Sequence, residues 1–135
     1  MSACVLDTDV VIAALDRDDA HHAAAAASIT AMIDAGTTML LSLVNYAETL
    51  VRPAQDQGTL RTAIAALSAL GIRLVAPTET IARDAARHRG LNVSLADGFA
   101  IATASANGAT VASFDLRVRR ALPAAGVELA AELAA

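Results

Sequence analysis

Four short apolar runs, "ACVL" (3–6), "TMLLS" (38–42), "IRLVA" (72–76) and "ATVASF" (109–114), each give way within a few residues to a stretch that reads as helix. Apolar runs of this length without alternation are the mark of strands buried on both faces. The helical stretches fall at about 19–34, 43–52, 60–70, 78–90 and 94–108, with shorter ones in "VVIAAL" and "DLRVRRAL"; Gly36, Pro53, Gly71 and Gly90 punctuate their ends. Parallel strands need long crossover connections, which helices supply. The alternation therefore predicts an α/β fold, three-layer α/β/α, with a mostly parallel four- to five-stranded sheet. The fifth strand would be an edge strand at "VELA" (127–130).

At 135 residues the chain reads as one domain, 1–135, large enough to bury a core. Alanine supplies 35 of those residues and the only aromatics are Tyr46, Phe99 and Phe114, so the helices should pack closely through small side chains. The formal net charge is −4, and all ten basic residues are arginine. Such a chain offers no overall field for nucleic acid, and an anionic partner would need a local arginine patch or a bound cation. Cys4 is a single cysteine in a core strand, which excludes an intrachain disulfide and fits a reducing compartment. The N-terminus lacks a basic region and reaches Asp7 too early for a signal peptide. No run of 18 apolar residues exists, so a soluble, cytoplasmic protein without a membrane span is expected.

The chemistry is legible in where charge is missing. Between residues 35 and 51 the one charged side chain is Glu48, and between 90 and 114 it is Asp97. The first fifteen residues carry only Asp7 and Asp9, and Asp115 follows directly on the strand 109–114. Burying an ionised carboxylate is costly unless it is paired or holds a metal. Each has a purely structural reading as well. Asp7, Asp9 and Asp115 stand where a strand hands over to a helix, a favoured N-cap position. Asp97 follows Ser94 by three residues, as in a capping box, and Glu48 lies at the edge of an apolar helical stripe. Together they point further, because the strand ends that lead into helices share one edge of a parallel sheet, where ligands bind. Carboxylates gathered there repel one another by about 4 kcal/mol per pair at 4 Å and an effective dielectric of 20, unless a proton or cation intervenes. Oxygen ligands alone select Mg²⁺ or Mn²⁺ over zinc.

The segments "VLDTDVVIAAL", "LSLVNYAET", "LNVSLADGFAIATA" and "TVASFD" together resemble a PIN-domain nuclease, and within that group a VapC-type toxin of bacterial toxin–antitoxin pairs. The resemblance spans nearly the whole chain, and its third motif is the most specific. It implies an α/β/α fold whose acidic residues bind Mg²⁺ or Mn²⁺ and hydrolyse RNA. Metal ligation falls most firmly on Asp7 and Asp97, with Glu48 and Asp115 completing a catalytic quartet and Thr8 and Ser113 in support. It also implies a homodimer held inactive by a VapB-type antitoxin, acting on tRNA or rRNA. Asp9 stands where Ser or Asn is common, so it either joins the metal shell or caps the helix. Val118 stands where Phe is frequent.

Hydrolysis by activated water would leave 5′-phosphate and 3′-hydroxyl ends. Arg117, Arg119 and Arg120 are the candidate RNA-binding residues; Arg83, Arg87 and Arg89 lie on a charged helix that reads first as a solvated face. His21 and His22 read as surface residues. "VLDTDVV" also fits the first motif of haloacid-dehalogenase-like phosphatases, and an acidic pocket is shared with receiver domains. Both classes rely on a lysine, and this chain has none. A housekeeping RNA-processing PIN nuclease and a binding domain with a relict acidic pocket stand as the alternatives.

Overall fold

The computed structural model describes residues 2–133, and in it the four apolar runs become β1 (Ala3–Leu6), β2 (Thr38–Ser42), β3 (Arg73–Val75) and β4 (Thr110–Ala112). All pair in parallel, in the order β3-β2-β1-β4. Helices α1 (Thr8–Leu15) and α2 (His22–Asp34) connect β1 to β2, and α3 (Leu43–Leu50) and α4 (Gln57–Ala69) connect β2 to β3. Next, α5 (Glu79–His88) and α6 (Leu95–Asn107) lead to β4, after which α7 (Leu116–Ala125) follows.

Alternation along the strands divides the core in two, since successive side chains point to opposite faces. Cys4, Leu6, Met39, Leu41 and Ala112 face one way, against Val10 and Val11 of α1, Ile29 and Met32 of α2 and Leu67 of α4. Val5, Leu40 and Val111 face the other, against Ala100, Ile101 and Ala104 of α6 and Val118 and Leu122 of α7. The expected three layers are therefore present. Val118 is fully buried in the second core. Outside that layer α5 packs on α6 through Ile81, Ala85 and Ala102. The approach there is close: a Cβ on Gly98 would stand 2.6 Å from the carbonyl oxygen of Ala85. Burial raises the Cys4 thiol to about 11, which makes it a core side chain and not a nucleophile. Among the described residues no helix is long and apolar enough to cross a membrane.

Four expectations are corrected. Residues 127–130 do not form a strand: Leu129 makes a single parallel bridge to Val111, and the chain then enters a 3-10 turn at Ala131–Leu133. The helix expected from 19 starts at His22, because the Asp16 and Asp19 carboxylates accept from the backbone N–H groups of Asp18 and His21 and hold the chain in turns. Gly90 does not end its helix in a left-handed conformation; a 3-10 turn over Arg89–Leu91 carries the chain to Asn92, which adopts it with φ 64°. The last helix runs past Leu122 through Pro123, closing at Gly126 with φ 71°.

β1 has β2 on one side and β4 on the other, so the connections diverge between β1 and β4. In an open parallel sheet that divergence opens a crevice at the carboxyl ends of the two strands. Asp7 follows β1 and Ser113 follows β4 directly.

Candidate active site

Asp7 lies in that crevice with 2% of its surface exposed. Its Oδ1 accepts from the Thr8 N–H at 2.9 Å, the cap that starts α1. Its Oδ2 accepts from the Ser113 hydroxyl at 2.7 Å. Ser113 Oγ in turn accepts from the Asp115 N–H at 3.1 Å, so its own proton is left for Asp7. Burial, then the charge of Asp9, then that of Asp97 push the Asp7 carboxyl up to about 7, and the Ser113 and Thr8 hydrogen bonds pull only partly against this. A carboxylate in such a place gains from any cation that can replace its missing proton.

A second relay has the same polarity. Asn45, fully buried on α3, donates from Nδ2 to Thr8 Oγ1 at 3.1 Å and to the Ala96 carbonyl at 3.2 Å. The Thr8 hydroxyl then donates to Glu48 Oε1 at 2.6 Å. Glu48 itself is solvent-facing, at the border of an apolar groove of about 630 Å³ between α1, α3 and α4. Thus one hydroxyl fixes Asp7 and another fixes Glu48, each with its lone pair engaged by an N–H.

Asp97 opens α6 in a full capping box: its N–H donates to Ser94 Oγ at 3.1 Å and its Oδ2 accepts from the Ser94 N–H at 3.2 Å. Its charge nevertheless reaches Asp7. Asp115 caps α7, accepting from the Arg117 N–H at 2.8 Å. Asp9 is not the cap of α1, a place that Asp7 takes. Its Oδ2 accepts from the Phe114 N–H at 3.0 Å, tying α1 to the segment after β4, while its Oδ1 is buried without a partner among the described residues. Burial also raises the Asp9 carboxyl above its ordinary range.

The structure therefore joins Asp7 to Ser113 and Asp115, and Thr8 to Glu48. Asp97 faces this group with its carboxylate turned back on its own helix. Among the described residues no three His, Cys, Asp or Glu side chains are grouped so as to hold a metal ion as they stand. The donors are all oxygen, which suits a hard divalent cation, and the orphaned Asp9 oxygen and the raised Asp7 are groups a cation would satisfy. The residues therefore fit such an ion in chemistry.

Of the arginines, Arg117 and Arg120 are exposed on α7, whereas Arg119 donates from Nε to the Ser113 carbonyl at 2.7 Å and fixes the loop that carries the site. Arg83 and Arg87 are taken up in surface ion pairs with Glu79 and Asp84, and Arg89 donates to the Val93 carbonyl at 2.6 Å. The charged helix is thus a solvated face. His21 and His22 are more than surface residues: His21 stacks on Phe114, ring centroids 4.4 Å apart, and His22 Nδ1 lies 2.7 Å from the Ala13 carbonyl. Sequence reading also passed over Asn45. Its signal was a lone amide in the same uncharged stretch that marked Glu48.

A family model described as PIN domain matches residues 4–121, which takes in every acidic residue described above. Comparison with curated proteins by sequence finds no match. Among the solved structures that this chain is similar to, three match across nearly their whole length as follows. FitAcB from Neisseria gonorrhoeae is 23% identical with a TM-score of 0.70, over 98% of this chain and 99% of its own. VapBC2 from Rickettsia felis, bound to a DNA fragment from its promoter, is 14% identical with a TM-score of 0.74, over 95% and 97%. VapC20 from Mycobacterium tuberculosis, described as a sarcin-ricin loop cleaving toxin, is 20% identical with a TM-score of 0.67, over 92% and 95%. At these identities the three share the fold, and with the family match over most of its length the chain belongs to the PIN domain family.

Proposed function

We propose that this protein is a metal-dependent endoribonuclease, the VapC-type toxin of a toxin–antitoxin pair, acting as a single domain in the cytoplasm and using Mg²⁺ or Mn²⁺. The observation that carries the reading is the buried Asp7, raised to about 7 by burial and by the charges of Asp9 and Asp97, at the crevice between β1 and β4. The ligands are Asp7, Asp97, Glu48 and Asp115. Bound there, the cation would make a water acidic enough to attack phosphorus and would neutralise charge on the leaving 3′-oxygen.

The chain's own residues do the rest. Ser113 and the Thr8 N–H hold the two oxygens of Asp7, and the Thr8 hydroxyl holds Glu48. Asp9 and Arg119 fasten the segment from which Ser113 and Asp115 project. With a net charge of −4, the RNA backbone must be drawn by the cation and a local basic rim, for which Arg117, Arg119 and Arg120 on α7 are the candidates. The substrate is a single-stranded loop of tRNA or rRNA, a kind of target whose bases are free to be read. The partner is a VapB-type antitoxin, in keeping with the similarity to toxin–antitoxin complexes. Exposed Val51 and Leu74 leave apolar surface for a second copy in a homodimer.

The test is incubation of purified, partner-free protein with cellular RNA in Mg²⁺ or Mn²⁺ against EDTA, beside Asp97→Asn. Discrete fragments with 5′-phosphate ends, lost with EDTA and reduced at least 100-fold in the variant, are the expected result. Cyclic-phosphate ends would refute the mechanism, and no metal-dependent cutting by folded protein would refute the activity.

A further inference from the structure

We propose that Asn45 is the positioning residue that sets the geometry of the cation site, acting through Thr8 on Glu48 and through the Ala96 carbonyl on the helix turn that carries Asp97. The inference rests on the metal-dependent reading above and names a residue that reading does not use. Four observations carry it.

Asn45 is fully buried on the helix that carries Glu48, and its two hydrogen bonds reach two further acidic segments, that of Asp7 through Thr8 and that of Asp97 through Ala96. Its orientation is fixed by chemistry. The Ala96 carbonyl can only accept, so the amide nitrogen must face it, and the second N–H of the same nitrogen then meets Thr8 Oγ1. That leaves the Thr8 hydroxyl proton one destination, Glu48 Oε1. Finally, this arrangement strands the amide oxygen, buried and without a partner among the described residues. An apolar side chain of the same volume would avoid that loss, so a purely structural account of Asn45 is poor. Ala96 lies in the first turn of α6, and its carbonyl also belongs to the helix ladder, so losing the Asn45 contact does not orphan it.

Partners that orient metal ligands typically change affinity by about 10- to 100-fold when removed. The experiment measures Mn²⁺ affinity by calorimetry for wild type, Asn45→Leu, Thr8→Val and the double variant, with melting temperatures alongside. Because Asn45 acts on Glu48 through Thr8, each single change should weaken Mn²⁺ binding about tenfold. The double should be less than the product of the two, a coupling that a stability effect alone does not produce. Asn45→Leu should melt within a few degrees of wild type. Wild-type Mn²⁺ affinity in Asn45→Leu, or strictly multiplicative losses, overturns the positioning role. Should Asn45→Leu fail to fold, Asn45→Ser, which keeps one donor, takes its place in the cycle under the same criteria. A wild-type protein that binds no Mn²⁺ overturns the metal-dependent reading itself, and that outcome is read without any variant.

Discussion

Asp7→Asn should abolish RNA cleavage and at the same time make the metal-free protein more stable at pH 8. Both effects come from one fact: the carboxyl is buried beside two like charges and is raised from 3.8 to about 7. The sign follows from linkage. A carboxyl whose pKa is higher folded than unfolded binds protons more readily in the native state. Its stabilising effect is therefore complete below about pH 4 and is lost as pH climbs towards 7. The full shift corresponds to about 4 kcal/mol between those limits. The amide substitution removes the ionisation but disturbs the hydrogen bond from Ser113, which returns part of the gain, since a net hydrogen bond is worth about 1 kcal/mol. We expect the variant to gain about 2 kcal/mol at pH 8, or roughly 5–10 °C in melting temperature at this chain length. At pH 4 it should gain nothing.

Divalent cations should reverse the order. A ligand that binds only the native state stabilises by mass action, about 2.7 kcal/mol at one hundred times its dissociation constant. Mn²⁺ should therefore raise the wild-type melting temperature at pH 8 and leave Asp7→Asn almost unchanged. Thermal melts at pH 4 and pH 8, with and without Mn²⁺, test both halves. If Asp7→Asn melts below wild type in EDTA at pH 8, the ionised carboxylate is not strained and the electrostatic account of the site is wrong. If Mn²⁺ stabilises both proteins equally, Asp7 is not a ligand.

The acidic residues were visible in the sequence because they interrupt apolar stretches, and the sheet because its strands are mostly apolar, least so in β3 with Arg73 and half-exposed Leu74. The two facts were linked: a strand that must end in a helix places a polar cap at the crevice. That is also why the capping and functional readings of Asp7 and Asp115 do not compete. Each caps the helix that follows its strand, and the same backbone geometry brings it to the carboxyl edge of the sheet. What the sequence hid was lateral. Asn45 and Asp9 act across the fold, on Ala96 and Phe114, and no periodicity announces a hydrogen bond between residues 51 or 105 positions apart. Residues 127–130 look like a strand by composition, but they meet β4 only at one bridge before the chain turns away. The capping box of Asp97, by contrast, was legible in its three-residue spacing from Ser94, because that bond is local.

Gly98→Ala should destabilise the protein, against the usual rule for a helix interior. Alanine in place of glycine normally stabilises a helix by about 1 kcal/mol. Here the new Cβ would meet the Ala85 carbonyl oxygen at 2.6 Å and the Ala85 carbonyl carbon and Cα at 3.4 Å. None of these is the end of a flexible side chain; all belong to the backbone of α5. The two helices would have to part, loosening Ile81, Ala85 and Ala102. Overpacking of this kind costs about 1–3 kcal/mol, enough to outweigh the helical gain. A net loss of about 1 kcal/mol would lower the melting temperature by roughly 3–5 °C. The strain also falls next to Asp97 and two residues from Ala96, so RNA cleavage should drop even well below the melting temperature. Gly90→Ala is the control: it has open space around it and no positive φ, and should change stability by less than about 0.5 kcal/mol. Were Gly98→Ala as stable as wild type, α5 would not lie as close to α6 as the fold requires. Were it destabilised but fully active at low temperature, the position of the α6 terminus would not govern the chemistry of Asp97.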